Sequence, residues 1–367
     1  MGCNLSKSKT PSKRSSYDDP IGGPSTELEN EEFPELPRVH AGAILGVECL
    51  PNSQLLTCGD DKKIVMYDVK SLAAVKTFTG HTKAVSRVKY ASKTRKIYSC
   101  SRDTTIMQWS LTAEPSRPSQ TFEGHEFTVA AIAVNSDENI LASGSRDTAV
   151  VVWDTETGAK LNKAKISRNL VTCLQWFDGE STFAQGSEDL SIRLWDFRQN
   201  MISPAISFNH GAYFALGMDL SSNGDYIVTS SKGGNAMAGD TTAVGGEIML
   251  WDRRKQQLVR KFPGHTHDAT SCRFYSTGNR AEPEYIISAS KDQTVRIWDV
   301  KEGQCSSEFT EIDCGMFTDL SRWDNDQSGT LRCAASTFLG ALFSLEASPS
   351  NSFEDFTCKA TIPSQPL

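Results

Sequence analysis

Six segments of this 367-residue chain share one pattern. They are CGDDKKIVMYD ending at Asp68, CSRDTTIMQWS at Ser110, GSRDTAVVVWD at Asp154, GSEDLSIRLWD at Asp196, GGEIMLWD at Asp252 and ASKDQTVRIWD at Asp299. A degenerate seventh, STFLGALFSLE, ends at Glu346. The aromatic anchors Tyr67, Trp109, Trp153, Trp195, Trp251, Trp298 and Phe343 stand 42, 44, 42, 56, 47 and 45 residues apart. An Asp lies six residues before five of them, at Asp61, Asp103, Asp147, Asp189 and Asp292. Gly80-His81, Gly124-His125 and Gly264-His265 stand upstream, the first two followed by apolar steps. Each unit reads as four short strands with apolar/polar alternation, as in Ile106-Met107-Gln108-Trp109. A single four-stranded sheet cannot bury both faces, so such units must stack on one another. Seven of them close into a ring and account for the length without a second domain.

Over residues 38–346 this pattern resembles the WD40-repeat family, and the expected fold is all-β: a seven-bladed WD40 β-propeller over 38–362, with a short disordered N-terminal tail. Residues 353–362 look strand-like and are expected to supply the outer strand of the last blade, with 33–39 as the competing choice. Residues 363–367 are a bare C-terminal end.

The resemblance implies a buried polar relay in which the Gly-His histidine bonds the turn Asp and a strand hydroxyl reaches the Trp indole. Here that reads His81–Asp103–Trp109, His125–Asp147–Trp153 and His265–Asp292–Trp298, with Ser99, Ser143 and Ser288 as hydroxyls. These are Ser-His-Asp trios, but they recur once per blade, where a catalytic site would occur once. Blade 1 has His40, Asp61 and Tyr67. Blade 4 has Ser167 in the histidine place, so Asp189, before Trp195, is expected to lose that partner. Blade 5 keeps His210 but has Gly245 at the Asp position, and residues 232–246 read as a flexible Gly-rich insertion. Blade 7 has Asp313 and Thr337 at the matching places.

The formal net charge of −7 is unevenly placed. Residues 1–16 carry Lys7, Lys9, Lys13 and Arg14 and no acid, while residues 17–37 carry seven acids and no base. The remainder holds 34 basic and 38 acidic residues, which argues against nonspecific nucleic-acid binding, because phosphate neutralisation needs clustered Lys and Arg. No apolar run approaches the roughly 20 residues of a membrane helix. The first sixteen residues lack the apolar stretch of a signal peptide. Ten cysteines without a CxxC pair fit free thiols in a reducing compartment rather than a metal site, and no cofactor is expected.

The run Met1-Gly2-Cys3-Asn4-Leu5-Ser6 fits N-myristoylation at Gly2, with Cys3 beside it as a palmitoylation site. One myristoyl chain binds bilayers only marginally, with a constant of about 10⁴ M⁻¹. Four basic residues add up to roughly 4 kcal/mol on an anionic leaflet. The acidic stretch 17–37 reads as a disordered linker. The expected location is therefore cytoplasmic and membrane-associated.

A propeller of this kind is expected to be a monomeric, non-catalytic platform for other proteins. In the family, partners contact residues just after the Gly-His position and just before the turn Asp. That matching gives Leu45, Arg102, Arg146, Glu188, Tyr213, Asp268, Lys291 and Met316. The phrase NLVTCLQW at 169–176, the blade-5 insertion and the divergent last blade resemble a family member associated with cilium assembly. The resemblance implies a location at the ciliary base, with partners among ciliary trafficking and small-GTPase regulators. A G-protein β-like subunit is the alternative. Such subunits carry a long N-terminal heptad helix, a pattern absent from residues 1–37.

Overall fold

A computed structural model describes residues 40–112, 116–199, 203–234, 245–276, 282–311, 314–323, 330–348 and 356–362. The expected tail and linker (1–37), the middle of the blade-5 insertion (235–244) and residues 363–367 lie outside the described residues.

Twenty-eight strands form seven four-stranded antiparallel sheets, each built from one continuous stretch in sequential order. Blades 1 to 7 span residues 44–79, 85–122, 129–165, 171–209, 215–262, 269–310 and 317–362. The first strands of successive blades pack on one another around a central axis, and the first strand of blade 1 meets that of blade 7. Seven apolar clusters hold the ring, one at each junction between neighbouring blades. Each sheet buries both faces because its alternate side chains serve two different junctions.

The family-type Asp shapes the turn between the second and third strands. The Oδ1 atoms of Asp61, Asp103, Asp147, Asp189 and Asp292 accept the backbone N–H two residues on. The intervening residues Lys62, Thr104, Thr148, Leu190 and Gln293 sit in the left-handed region at φ 66–74°. A side chain there costs about 1–2 kcal/mol, which the Asp bonds offset. Blade 7 has Leu339 in the Asp place, and the left-handed position falls to Gly340 at φ 87°.

Blade 7 corrects the sequence reading. Trp109 pairs with Ile97, and the counterpart of Ile97 is Cys333, whose partner is Leu345. The bulge that precedes Tyr67, Trp153, Trp251 and Trp298 also precedes Leu345. Leu345, not Phe343, therefore stands in the indole place, and Leu339, not Thr337, in the Asp place. The hydroxyl place is taken by Ala335. The apolar side chains of Leu345, Ala335 and Phe343 join the junction cluster with blade 6.

The last blade takes Phe356–Ile362 as its fourth strand, paired with Leu342–Ala347. No strand is shared between the two ends of the ring among the described residues. The junction closes through side chains instead. Thr318 Oγ1 donates to the Ile44 carbonyl (2.6 Å) and Trp323 Nε1 to the Leu50 carbonyl (2.9 Å). Ser321 Oγ accepts from the Cys49 amide (3.0 Å). The Trp323 ring lies in the apolar cluster with Val47, Leu55 and Tyr67. Among the described residues, six cysteines are buried.

Candidate functional site

Relays beneath the loop face. In blades 2, 3 and 6 the histidine Nδ1 meets the Asp carboxylate at 2.8–2.9 Å and its Nε2 meets the serine hydroxyl at 2.7–2.8 Å. A carboxylate only accepts, so Nδ1 carries the proton, Nε2 accepts from the serine, and the serine oxygen accepts the indole N–H at 2.8 Å. Ser99, Ser143 and Ser288 are wholly buried and already spanned by His and Trp, so no substrate carbonyl can reach them. Burial by itself raises the carboxyls of Asp103, Asp147 and Asp292. The bonds from histidine and backbone amides outweigh it and hold all three well below the usual carboxylate range. Their stabilisation is present above the unfolded value of 3.8 and is lost as the pH falls below it.

The other blades vary the theme with residues the sequence reading did not assign. In blade 1 His40 bonds Asp61 (2.8 Å) and Thr57 (2.9 Å), while the buried Tyr67 hydroxyl finds no partner among the described residues. In blade 4 other side chains bond Asp189 in place of a histidine. Arg193 Nη2 donates to Asp189 Oδ2 at 2.6 Å, and Arg193 Nη1 to Asn169 Oδ1 at 2.8 Å. Gln185 donates to Asn169 and accepts the Trp195 indole N–H (2.7 Å). Asn169 and Gln185 thus do the work of histidine and serine. In blade 5 His210 bonds Thr229, which also accepts the Trp251 N–H. At Gly245 a Cβ would stand 1.7 Å from the His265 carbonyl oxygen, so no aspartate fits there.

His210 has no carboxylate partner among the described residues; its Nδ1 donates to the Tyr213 carbonyl at 2.6 Å. Burial pushes its pKa below 6.5. The unfolded chain takes up the proton more readily, so blade 5 loses stability as the pH falls through 6.5. Between about pH 7.5 and about pH 5.5, amide protection factors are expected to fall more in the blade-5 strands, within 215–231 and 248–262, than in blade 3. Equal loosening of both blades would contradict this.

The mouth of the channel. A hollow on the axis is lined by first strands of all seven blades. Inside it Lys89 pairs with Glu48 (2.9 Å) and Arg273 lies 3.8 Å from Asp319. At one end the backbone repeats a single bond: the amides of Asp60, Arg102, Arg146, Glu188, Lys232, Lys291 and Phe338 each donate to a carbonyl just before their own first strand. One side chain per blade is thereby set around the mouth, and its identity is free to vary because the bond uses only backbone.

The sequence-derived contact candidates fall as follows. Leu45, Arg102, Lys291 and Met316 line one hollow with Phe338. Arg102, Arg146, Glu188, Asp268 and Lys291 line the wider mouth beside it. Tyr213 is not in either lining, though its neighbour Phe214 is. The charged candidates already have partners: Arg102 with Asp60 (3.7 Å), Arg146 with Glu188 (3.0 Å) and Lys291 with Asp268 (2.8 Å). Sequence matching missed Arg87, Lys232, Phe214 and Phe338. Lys232 lies over the Phe214 ring at 5.6 Å and has no carboxylate partner among the described residues. Phe338 was hidden by the two-residue offset in blade 7. Among the described residues, no group of three or more His, Cys, Asp or Glu could hold a metal ion. The lipidation candidates Gly2 and Cys3, with Lys7, Lys9, Lys13 and Arg14, and also Asp313, lie outside the described residues.

Seven radial sheets with a buried histidine relay in most blades, opening on a ring of variable side chains, define a β-propeller of the repeat-built interaction class. The family model "WD domain, G-beta repeat" matches residues 35–68, 73–110, 116–154, 163–196 and 256–299, just over half of the chain. The chain belongs to the WD40 family. It is 32 % identical over 139 residues to "Nuclear distribution protein nudF" of Aspergillus niger, covering 38 % of this chain and 28 % of that protein. It is 31 % identical over 142 residues to "Nuclear distribution protein PAC1" of Gibberella zeae, covering 38 % and 28 %. The chain therefore spans less than a third of the length of these curated relatives.

Proposed function

We propose that this protein is a non-catalytic scaffold that binds other proteins through the channel mouth and is held at the cytoplasmic face of a membrane by an acylated N-terminal segment. The observation that carries the reading is the ring of seven side chains, fixed by backbone alone, with charges of both signs and an exposed apolar sector. Such a ring presents a rigid surface whose chemistry varies from blade to blade. The relays lie beneath it, buried, and serve to hold the loops in place.

The tether rests on Gly2, Cys3 and the four basic residues of positions 7–14. A service in cilium assembly, alongside small-GTPase regulators, rests on family resemblance. Gly2→Ala is expected to lower membrane partition by about tenfold or more, since a constant of about 10⁴ M⁻¹ amounts to about tenfold at about millimolar lipid. Fractionation of cells expressing the full chain and the variant measures it, and proximity labelling in the same cells reads the partners. An unchanged membrane fraction, or an unchanged partner set, would contradict the tethered reading.

A further inference from the structure

Seven large apolar side chains are exposed among the described residues, and four of them stand on fourth strands at the rim. Met316 and Phe338 are different. They sit side by side at the mouth, Phe338 N–H donating to the Met316 carbonyl at 2.8 Å, and are 39 % and 50 % exposed. With Leu45 they form an apolar hollow where blade 7 meets blade 1. The hollow is flanked by cations on both sides, Lys291 from blade 6 and Arg102 from blade 2. Apolar surface of this kind, rimmed by charge, marks a binding site.

We propose that this hollow seats one apolar side chain of an extended segment of a partner protein, with acidic residues of that segment on both sides held by Lys291 and Arg102. The proposal rests on the scaffold reading and names the chemistry of its partner. Charge complementarity carries it. Five basic side chains line the mouth, Arg87, Arg102, Arg146, Lys232 and Lys291, against the acids Glu188 and Asp268 of the lining and Asp60 of the ring beside it, in a chain whose net charge is −7. The Arg102–Asp60 and Lys291–Asp268 pairs are exposed, so little energy opposes an exchange of one carboxylate for another. An anionic membrane fits less well. Asp60 and Glu188 interrupt the basic residues around the ring, which favours discrete contacts over a uniform field.

The test is selection of a displayed library of random dodecapeptides on the full chain, followed by affinity measurement of the leading peptide. Enrichment of an apolar residue with Asp or Glu on both sides is expected. Phe338→Ser, and separately Arg102→Glu with Lys291→Glu, should each weaken the leading peptide by about tenfold or more. All three side chains are exposed, so melting temperatures should stay at the parent value, which separates lost contact from lost fold. Failure to select any binder, peptides without acidic flanks, or equal affinity for Phe338→Ser would overturn the proposal. So would capture of phosphatidylserine vesicles that depends on the same residues. Proximity-labelled partners retained by Phe338→Ser would leave the scaffold standing while this site falls; no partners for the parent chain would remove the scaffold itself.

Discussion

Replacing Trp153 by alanine should destabilise the propeller by about 3–5 kcal/mol. The indole is almost wholly buried between blades 2 and 3, edge-on to Phe122 at 5.7 Å between ring centroids, and its N–H closes the relay on Ser143. Truncation removes that packing and leaves the serine oxygen short of a donor. Trp153→Phe keeps most of the apolar contact and loses only the N–H, so its cost should be smaller, about 1–3 kcal/mol. Denaturant unfolding of the three proteins measures both steps. Equal stability for Trp153→Phe and the parent would mean that the relay adds nothing beyond packing.

Trp323→Ala should cost as much, about 3–5 kcal/mol, but at a different place. Trp323 seals the junction between blade 7 and blade 1. It bonds the Leu50 carbonyl, packs on blade 1 and lies under the Arg332 guanidinium at 5.3 Å. Among the described residues no strand is shared across that junction, so no sheet bonds there resist opening. Hydrogen exchange is expected to rise first in residues 44–50 and 317–322, before blades 3 and 4. Uniform acceleration around the ring would show that the seam is no weaker than the other six junctions.

The repeat made the sheet count, the order of strands and three complete relays readable, because each depends on residues at fixed spacing within one unit. What it could not supply depends on substitution in three dimensions. Asn169, Gln185 and Arg193 rebuild the blade-4 relay from positions that carry no family signature, since any donor–acceptor set of the right reach satisfies the half-buried Asp189 and the buried Trp195. Phe343 looked like an anchor because it is aromatic, whereas the register assigns that place to Leu345, and the offset concealed Phe338. Trp323 belongs to no repeat position and shows its purpose only once blades 1 and 7 are in contact. The mouth candidates Arg102, Arg146, Glu188, Asp268 and Lys291 were found by position alone; Asp60 was not, and the pairing of Arg102 with Asp60 and of Arg146 with Glu188 could not be read, because each joins two blades.

The account stands on the channel mouth being the surface that partners cover. Hydrogen exchange of the full chain, alone and with its co-purified partner, addresses that directly. Slowed exchange confined to the loops around residues 45, 102, 146, 291, 316 and 338 is the expected result. Protection of the outer strands of the blades instead, with those loops exchanging at the rate of the free protein, would contradict it.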